Sequence, residues 1–266
     1  SILKSVNYKS WYAIAEFVDN STQAYFNYKE TLDKLFRENN ESLTVFIVYG
    51  NDDDGEFIKV IDNSIGMSQE ELQRAVTIGK PPEITTGRSR YGLGMKTAAC
   101  WMGDYWEVCS KKLGENTECT VLFNVKDVAD GNKDLPILKK DAKQEQHYTI
   151  ITIKKLHKRI HPRSAGKTKD FLRSMYRRDF ENYDFKLFWQ GERLTWEGFD
   201  NRLLKNKDGR LVKRPFEFRI NDKKVLGWAG VFEKGSRADA GFSLIQANRV
   251  IKGWPDAYRP SKLFGY

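Results

Sequence analysis

Apolar residues near the start of the chain recur at helical spacing: Trp11, Ile14, Val18 and Leu32, interleaved with Ala13, Phe17 and Ala24. A stripe of that period buries one side of a helix. Neither Pro nor Gly interrupts it, so the spacing predicts one long helix over residues 8–39. The period then changes. Residues 43–49 are rich in β-branched and aromatic side chains, which suit a pleated surface. Asn51-Asp-Asp-Asp-Gly55 is a turn and residues 57–61 a second strand, so a hairpin is expected. Ser68 followed by Glu71 has capping-box spacing and opens a helix to about Ile78.

Residues 79–91 turn polar, with Pro81-Pro82, Thr85-Thr86-Gly87 and Ser89, and read as a loop with few anchors. A helix resumes after Gly94 through residue 101. Residues 105–111 and 118–125 form a second expected hairpin. The charged stretch 127–146 reads as loop, 147–155 as a strand and 170–181 as a helix. A last hairpin, 185–189 with 194–196, turns on Gln190-Gly191. Beyond Gly198 the pattern is strands and turns, at 216–220, 225–232 and 242–246. A boundary there divides the chain into a domain of residues 1–198 and a shorter one of 199–266. No repeat or low-complexity tract is present.

Composition adds bounds. The 266 residues are 40% hydrophobic and 13% aromatic, enough for one large core or two unequal ones. No apolar run approaches the roughly 20 residues that a bilayer requires, so no membrane partner is expected. The opening Ser1-Ile2-Leu3-Lys4 lacks a signal-peptide pattern, and a start without Met reads as a trimmed chain or a fragment. Cys100, Cys109 and Cys119 are odd in number and lack CxxC spacing, and His147, His157 and His161 complete no metal pattern with them. Three reduced, partly buried thiols in an intracellular protein, cytoplasmic or nuclear, are the expectation. The net charge of +9 suits an anionic partner such as DNA. Because 45 basic and 36 acidic residues are spread along the chain, charge alone leaves that partner open.

Three short motifs carry candidate chemistry. In Glu16-Phe-Val-Asp19-Asn20, Glu16 and Asn20 share a helix face one turn apart. The carboxylate can act as general base on water, and the amide oxygen can ligate Mg. In Val60-Ile-Asp62-Asn-Ser-Ile-Gly66-Met67 an apolar strand ends in an Asp, followed by a Gly-containing turn. A buried Asp there can accept from an exocyclic amine, and Gly66 lets a flat ring approach the backbone. Tyr91-Gly92-Leu93-Gly94-Met95-Lys96-Thr97 is a glycine-rich turn opening a helix, which presents N–H groups and a positive dipole end to phosphates. Each alone reads equally as a polar helix face, a strand-to-helix turn or an ordinary Gly pair. A fourth candidate, Ala165-Gly166-Lys167-Thr168, ends like a P-loop but has His161 where the first Gly belongs, and reads as a charged helix start.

Taken in order, the three motifs resemble those of the GHKL ATPases, which include DNA gyrase, the ATP-dependent heat-shock chaperone, histidine kinases and MutL. The wording is nearest to the MORC and MutL branches. Glu16 to Ser21 is similar to their N-box, Asp62 to Met67 to their Asp-Asn-Gly-x-Gly-Met box, and Gly92 to Lys96 to their Gly-x-Gly-x-Lys box. Residues 148–153 resemble the Gly-Thr-x-Ile strand, with Thr149 as its Thr; residues 171–194 resemble the helix and hairpin that follow; residues 241–251, through Asn248-Arg249, resemble the start of a transducer domain. Two positions depart: Ser64 replaces the first Gly of the second box, and Tyr148 the Gly before Thr149.

The resemblance implies an α+β Bergerat fold: a two-layer α/β sandwich of a mixed, mostly antiparallel sheet with helices on one face, followed by a partial transducer-like α+β domain. It implies ATP and Mg as cofactors. Adenine would sit against Asp62, with Thr149, Gly66 and Met67 near. Mg would bridge Asn20 and the phosphates. Gly92, Leu93, Gly94, Met95, Lys96 and Thr97 would hold the phosphates, and Glu16 would activate water. Residues 79–91 would be the ATP lid, with Lys80, Arg88 and Arg90 as candidate phosphate contacts. An ATP-dependent homodimer, acting on DNA within a longer clamp-like protein, is the implied assembly, with Lys262 as a candidate transducer lysine. Three alternatives stand beside it: a nucleotide-gated DNA-binding module with little turnover, a chaperone-type ATPase, and a histidine kinase. The three histidines follow the site rather than precede it, which disfavours the last.

Overall fold

The computed structural model describes residues 9–77, 94–131 and 135–264. The chain forms two units, Ser1–Thr195 with Ala247–Arg249, and Trp196–Gln246 with Val250–Tyr266. The expected lid, Gly92, Leu93 and the end of the second helix at Ile78 lie outside the described residues.

The first unit is built on an eight-stranded sheet. Its strands are β1 (Thr44–Asp52), β2 (Gly55–Asp62), β3 (Gly103–Lys111), β4 (Thr117–Asn124), β5 (Ile137–Asp141), β6 (Tyr148–Leu156), β7 (Lys186–Trp189) and β8 (Glu192–Leu194). They lie in the order β5-β4-β3-β6-β2-β1-β7-β8. Every neighbouring pair is antiparallel except β1 with β7. The period-two alternation sends Val45, Ile47, Ile58, Val60, Trp106, Val108, Ile151 and Ile153 into one buried core. Helices α1 (Ser10–Asn27), α2 (Lys29–Asn39), α3 (Gln69–Val76), α4 (Gly94–Met102) and α6 (Pro162–Met175) contribute Ile14, Phe17, Leu32, Leu72, Ala98 and Leu172 to that core; Tyr176 is buried between α6 and α7 (Arg177–Asn182), whose Phe180 packs against the core. This is the expected α+β architecture of a mixed, mostly antiparallel sheet with a helical layer.

Two expectations are corrected. The long helix is broken at Tyr28, whose backbone (φ −123°, ψ 30°) leaves the helical region and whose N–H bonds to Tyr25 O. No breaker residue marks the spot. Lys29 bonds to the Tyr25 hydroxyl and pairs with Asp33, while Leu32 and Phe36 reach the core from a new direction. Residues 127–146 are also not simply loop. They contain the end of a short helix, α5 (Val125–Ala129), and the edge strand β5. That strand is mostly exposed and is held by its pairing with β4 from Thr117↔Asp141 to Val121↔Ile137, a non-local cause.

The capping box forms as expected: Ser68 Oγ accepts from Glu71 N–H, and Glu71 Oε2 from Ser68 N–H. The Ala165–Thr168 stretch lies inside α6, whose first residue is Pro162, and so is not a phosphate loop. Cys100 and Cys119 are buried, Cys109 is half-buried, and all three are free thiols. Among the described residues no helix is long and apolar enough to cross a membrane.

The second unit contains the ribbon of β9 (Lys213–Ile220) and β10 (Lys223–Gly230). It also contains an aromatic cluster of Trp196, Phe199, Phe232 and Trp254. Asp239 accepts from Arg202, Ser236 and Trp254, and the Arg202 and Ser236 bonds pull its carboxyl down to about 2. Strands β11 (Leu244–Gln246) and β12 (Arg249–Lys252) pair through Ala247 and Asn248, both left-handed at φ 48° and 60°.

Candidate functional site

The motif residues gather at two places joined by α1. At the first, strands β2, β3 and β6 end side by side. The register sets Asp62 opposite Thr149 and Ser110 opposite Thr149. All three occupy the inward side of the pleat and are buried. Ser110 Oγ lies 2.9 Å from Thr149 Oγ1 and accepts from Met67 N–H at 2.8 Å. Asp62 is 6% exposed. Its carboxylate accepts from Ser21 Oγ at 2.7 Å and from Ser64 N–H at 2.9 Å. Burial raises the Asp62 carboxyl to about 6, against the opposing bonds from Ser21 and Ser64 and the influence of His147. His147 Nδ1 in turn sits 2.8 Å from Ser64 O.

Gly66 is required here. Its φ is +75°, and a Cβ would lie 1.9 Å from Lys111 O, so the turn after β2 is pressed against the end of β3. Met67 follows it. A glycine turn, two small hydroxyls and one buried carboxylate thus lie together at the ends of three strands.

At the second place, the Glu16 carboxylate touches Gly94 at the start of α4. A Cβ on Gly94 would lie 2.0 Å from Glu16 Oε2. Only glycine lets the carboxylate come this close to the helix N-terminus, where the dipole and N–H groups favour negative charge. Asn20 lies one turn after Glu16 on α1 and beside Ser21, the residue bonded to Asp62. Helix α1 therefore runs from the Gly94 end of the site to the Asp62 end.

The remaining site candidates separate. Met95 is buried in the core and Thr97 is half-exposed on α4. Lys96 is 4% exposed, and its ammonium bonds to Thr77 O at 2.7 Å rather than standing free beside Gly94. Burial lowers its pKa from the ordinary lysine value. Ser21, Ser110 and His147 were not expected from sequence. Ser110 had a signal, being the polar member of an inward-facing Trp106, Val108, Ser110 series.

Among the described residues no cluster of three or more His, Cys, Asp or Glu side chains is placed to hold a metal ion.

The chain matches a family model described as "Histidine kinase-, DNA gyrase B-, and HSP90-like ATPase" over residues 8–161, more than half its length. The matched stretch contains Glu16, Asn20, Asp62, Gly66, Gly94 and Thr149. No curated protein matches the chain.

Proposed function

Because the chain belongs to the histidine kinase-, DNA gyrase B- and HSP90-like ATPase family, whose domain binds ATP, we propose that it hydrolyses ATP with Glu16 as general base. The observation that carries this reading is the course of α1, which sets Glu16 against Gly94 and Ser21 against Asp62. The adenine amine donates to Asp62, with Thr149, Ser110 and the Gly66–Met67 backbone around the ring. The start of α4 receives the phosphates through its N–H groups. Glu16 takes the proton from the attacking water as its oxygen bonds to the terminal phosphorus, the bond from that phosphorus to the bridging oxygen breaks, and ADP is the leaving group. Asn20 would hold Mg through its amide oxygen, and Mg when bound would offset charge on the phosphates. Lys96 reaches phosphate only by giving up Thr77 O, so the α4 N-terminus is assigned the larger share.

Asn20 makes the metal reading testable. Asn20→Ala is expected to leave ATP affinity in EDTA unchanged while abolishing the gain that Mg gives the parent. Titration calorimetry with and without Mg measures both, and a Mg gain that survives the substitution assigns the metal elsewhere.

Within the family, the MORC and MutL branch is the favoured place, on the wording of the three boxes and of Asn248-Arg249. That branch supplies the reading of an ATP-gated homodimer acting on DNA. Charge supports a nucleic-acid partner: the second unit carries 14 Lys and Arg against 8 Asp and Glu, or +6 of the chain's +9.

A further inference from the structure

Three residues of a turn late in the chain, Ala247–Arg249, belong with the first unit. Arg249 is the reason that matters. Its guanidinium pairs with Asp19 on α1, Nη1 to Oδ2 at 2.5 Å. The pair is well shielded, with Asp19 2% and the Arg249 side chain 18% exposed. Asp19 also accepts from Tyr176 Oη at 2.9 Å, and that hydroxyl lies 2.9 Å from Ala15 O. Tyr183 Oη accepts from Asn248 Nδ2 at 2.7 Å, which holds the turn beside Arg249. Burial opposes the Arg249 charge, while Tyr176, Asp19, Glu16 and Tyr12 act to sustain it.

Asp19 stands between the two residues assigned to water and metal. At about 100° per residue, Asp19 lies about 60° from Glu16 and about 100° from Asn20 around the helix, and its side chain is buried. A fixed Asp19 therefore fixes the rotation of α1 and the directions of Glu16 and Asn20. A hydrophobic stripe alone would tolerate small rotations, since apolar packing is not directional. An ion pair through Arg249 Nη1 and a hydrogen bond from Tyr176, both on one buried carboxylate, restrict them.

We propose that Arg249 is a positioning residue for ATP hydrolysis, which holds Asp19 so that α1 presents Glu16 and Asn20 to the nucleotide. The assignment rests on the ATPase reading given above. Without Arg249 the buried Asp19 carboxylate loses the guanidinium paired with it, which favours a shift or local opening of α1. Displacement of catalytic groups by about 1 Å is enough to lower a rate about 100-fold. Asp62, Ser110 and Thr149 stand on strands, and of their bonds only the one from Ser21 would follow the helix.

The test is Arg249→Met, with Arg249→Lys beside it, in the full chain. For Met, turnover is expected to fall about 10- to 100-fold while ATP affinity in EDTA stays within about threefold of the parent. Amide hydrogen exchange of the α1 peptides is expected to accelerate at least about 10-fold, with β3 and β6 unchanged. Lys keeps the charge but not the shape of the guanidinium, and is expected to fall between the parent and Met on both readouts. Parent-like turnover in the Met variant overturns the proposal. So does α1 exchange equal to the parent's, or a loss of ATP affinity as large as the loss of turnover. If Met does not fold, Lys decides alone: turnover and α1 exchange both equal to the parent's overturn the proposal. A parent that binds ATP without turning it over defeats the hydrolysis reading instead, and the exchange result still decides the role of Arg249.

Discussion

Asp62→Asn is expected to make the apo protein more stable above pH 6 and to lower ATP affinity at least about 100-fold, the cost of losing a charge-assisted bond. The two effects share one cause. Asp62 is buried, and burial raises its carboxyl from 3.8 to about 6. Between those values the folded protein holds a proton that the unfolded chain has released, so stability falls as pH rises through the window. Above about pH 6 the whole penalty applies, about 3 kcal/mol at most for a shift of about two units. Asparagine has no charge to bury, and its amide oxygen can still accept from Ser21 or Ser64 N–H. The melting temperature of Asp62→Asn should therefore exceed the parent's at pH 8 and equal it at pH 4. Scanning calorimetry at both values checks the first effect and titration calorimetry the second. An equal gain at both pH values would remove charge burial as the cause, and undiminished ATP binding would remove Asp62 from the adenine site.

Glu16→Gln is expected to reduce turnover by about 10²- to 10⁴-fold, the usual contribution of a general base. ATP affinity should stay within a few-fold of the parent, because glutamine fills the same space against Gly94. A steady-state ATPase assay, paired with direct binding, separates the two quantities. Turnover within twofold of the parent means that another group activates the water.

Much of this fold was legible because the pattern and the structure share local causes. Period-two alternation marks β1, β2, β3, β4 and β6, and the capping box at Ser68 and Glu71 marks the start of α3. What escaped has non-local causes. The break at Tyr28 has no Gly or Pro to announce it, and Leu32 and Phe36 beyond it are buried in the core. Edge strand β5 exists through its pairing with β4, which its own Ile137-Leu-Lys-Lys-Asp141 does not announce.

The site divides the same way. Glu16, Asp62, Gly66 and Gly94 were legible as types and spacings, and the structure adds why two of the glycines are needed, since a Cβ at either would collide with a neighbouring group. Ser110 was legible only once β3 had a direction. Ser21, adjacent to Asn20, looked like the end of a motif until its bond to Asp62 joined the two boxes. Lys96 illustrates the reverse: its position in a phosphate motif did not reveal that Thr77 O holds its ammonium. Arg249 comes from a turn remote in the chain, and only the folded path brings it to Asp19.

The central claim is that the buried Asp62 carboxylate reads an exocyclic amine, and it reduces to one comparison. ATP and ITP carry the same ribose and phosphates, but ITP has a carbonyl where ATP has the 6-amino group. A buried site built to accept from that amine rejects an analogue that lacks it by about 10⁴-fold in favourable cases. Competition titration of the parent protein is predicted to show ITP binding at least about 100-fold more weakly than ATP. Equal affinities for the two nucleotides would contradict the account.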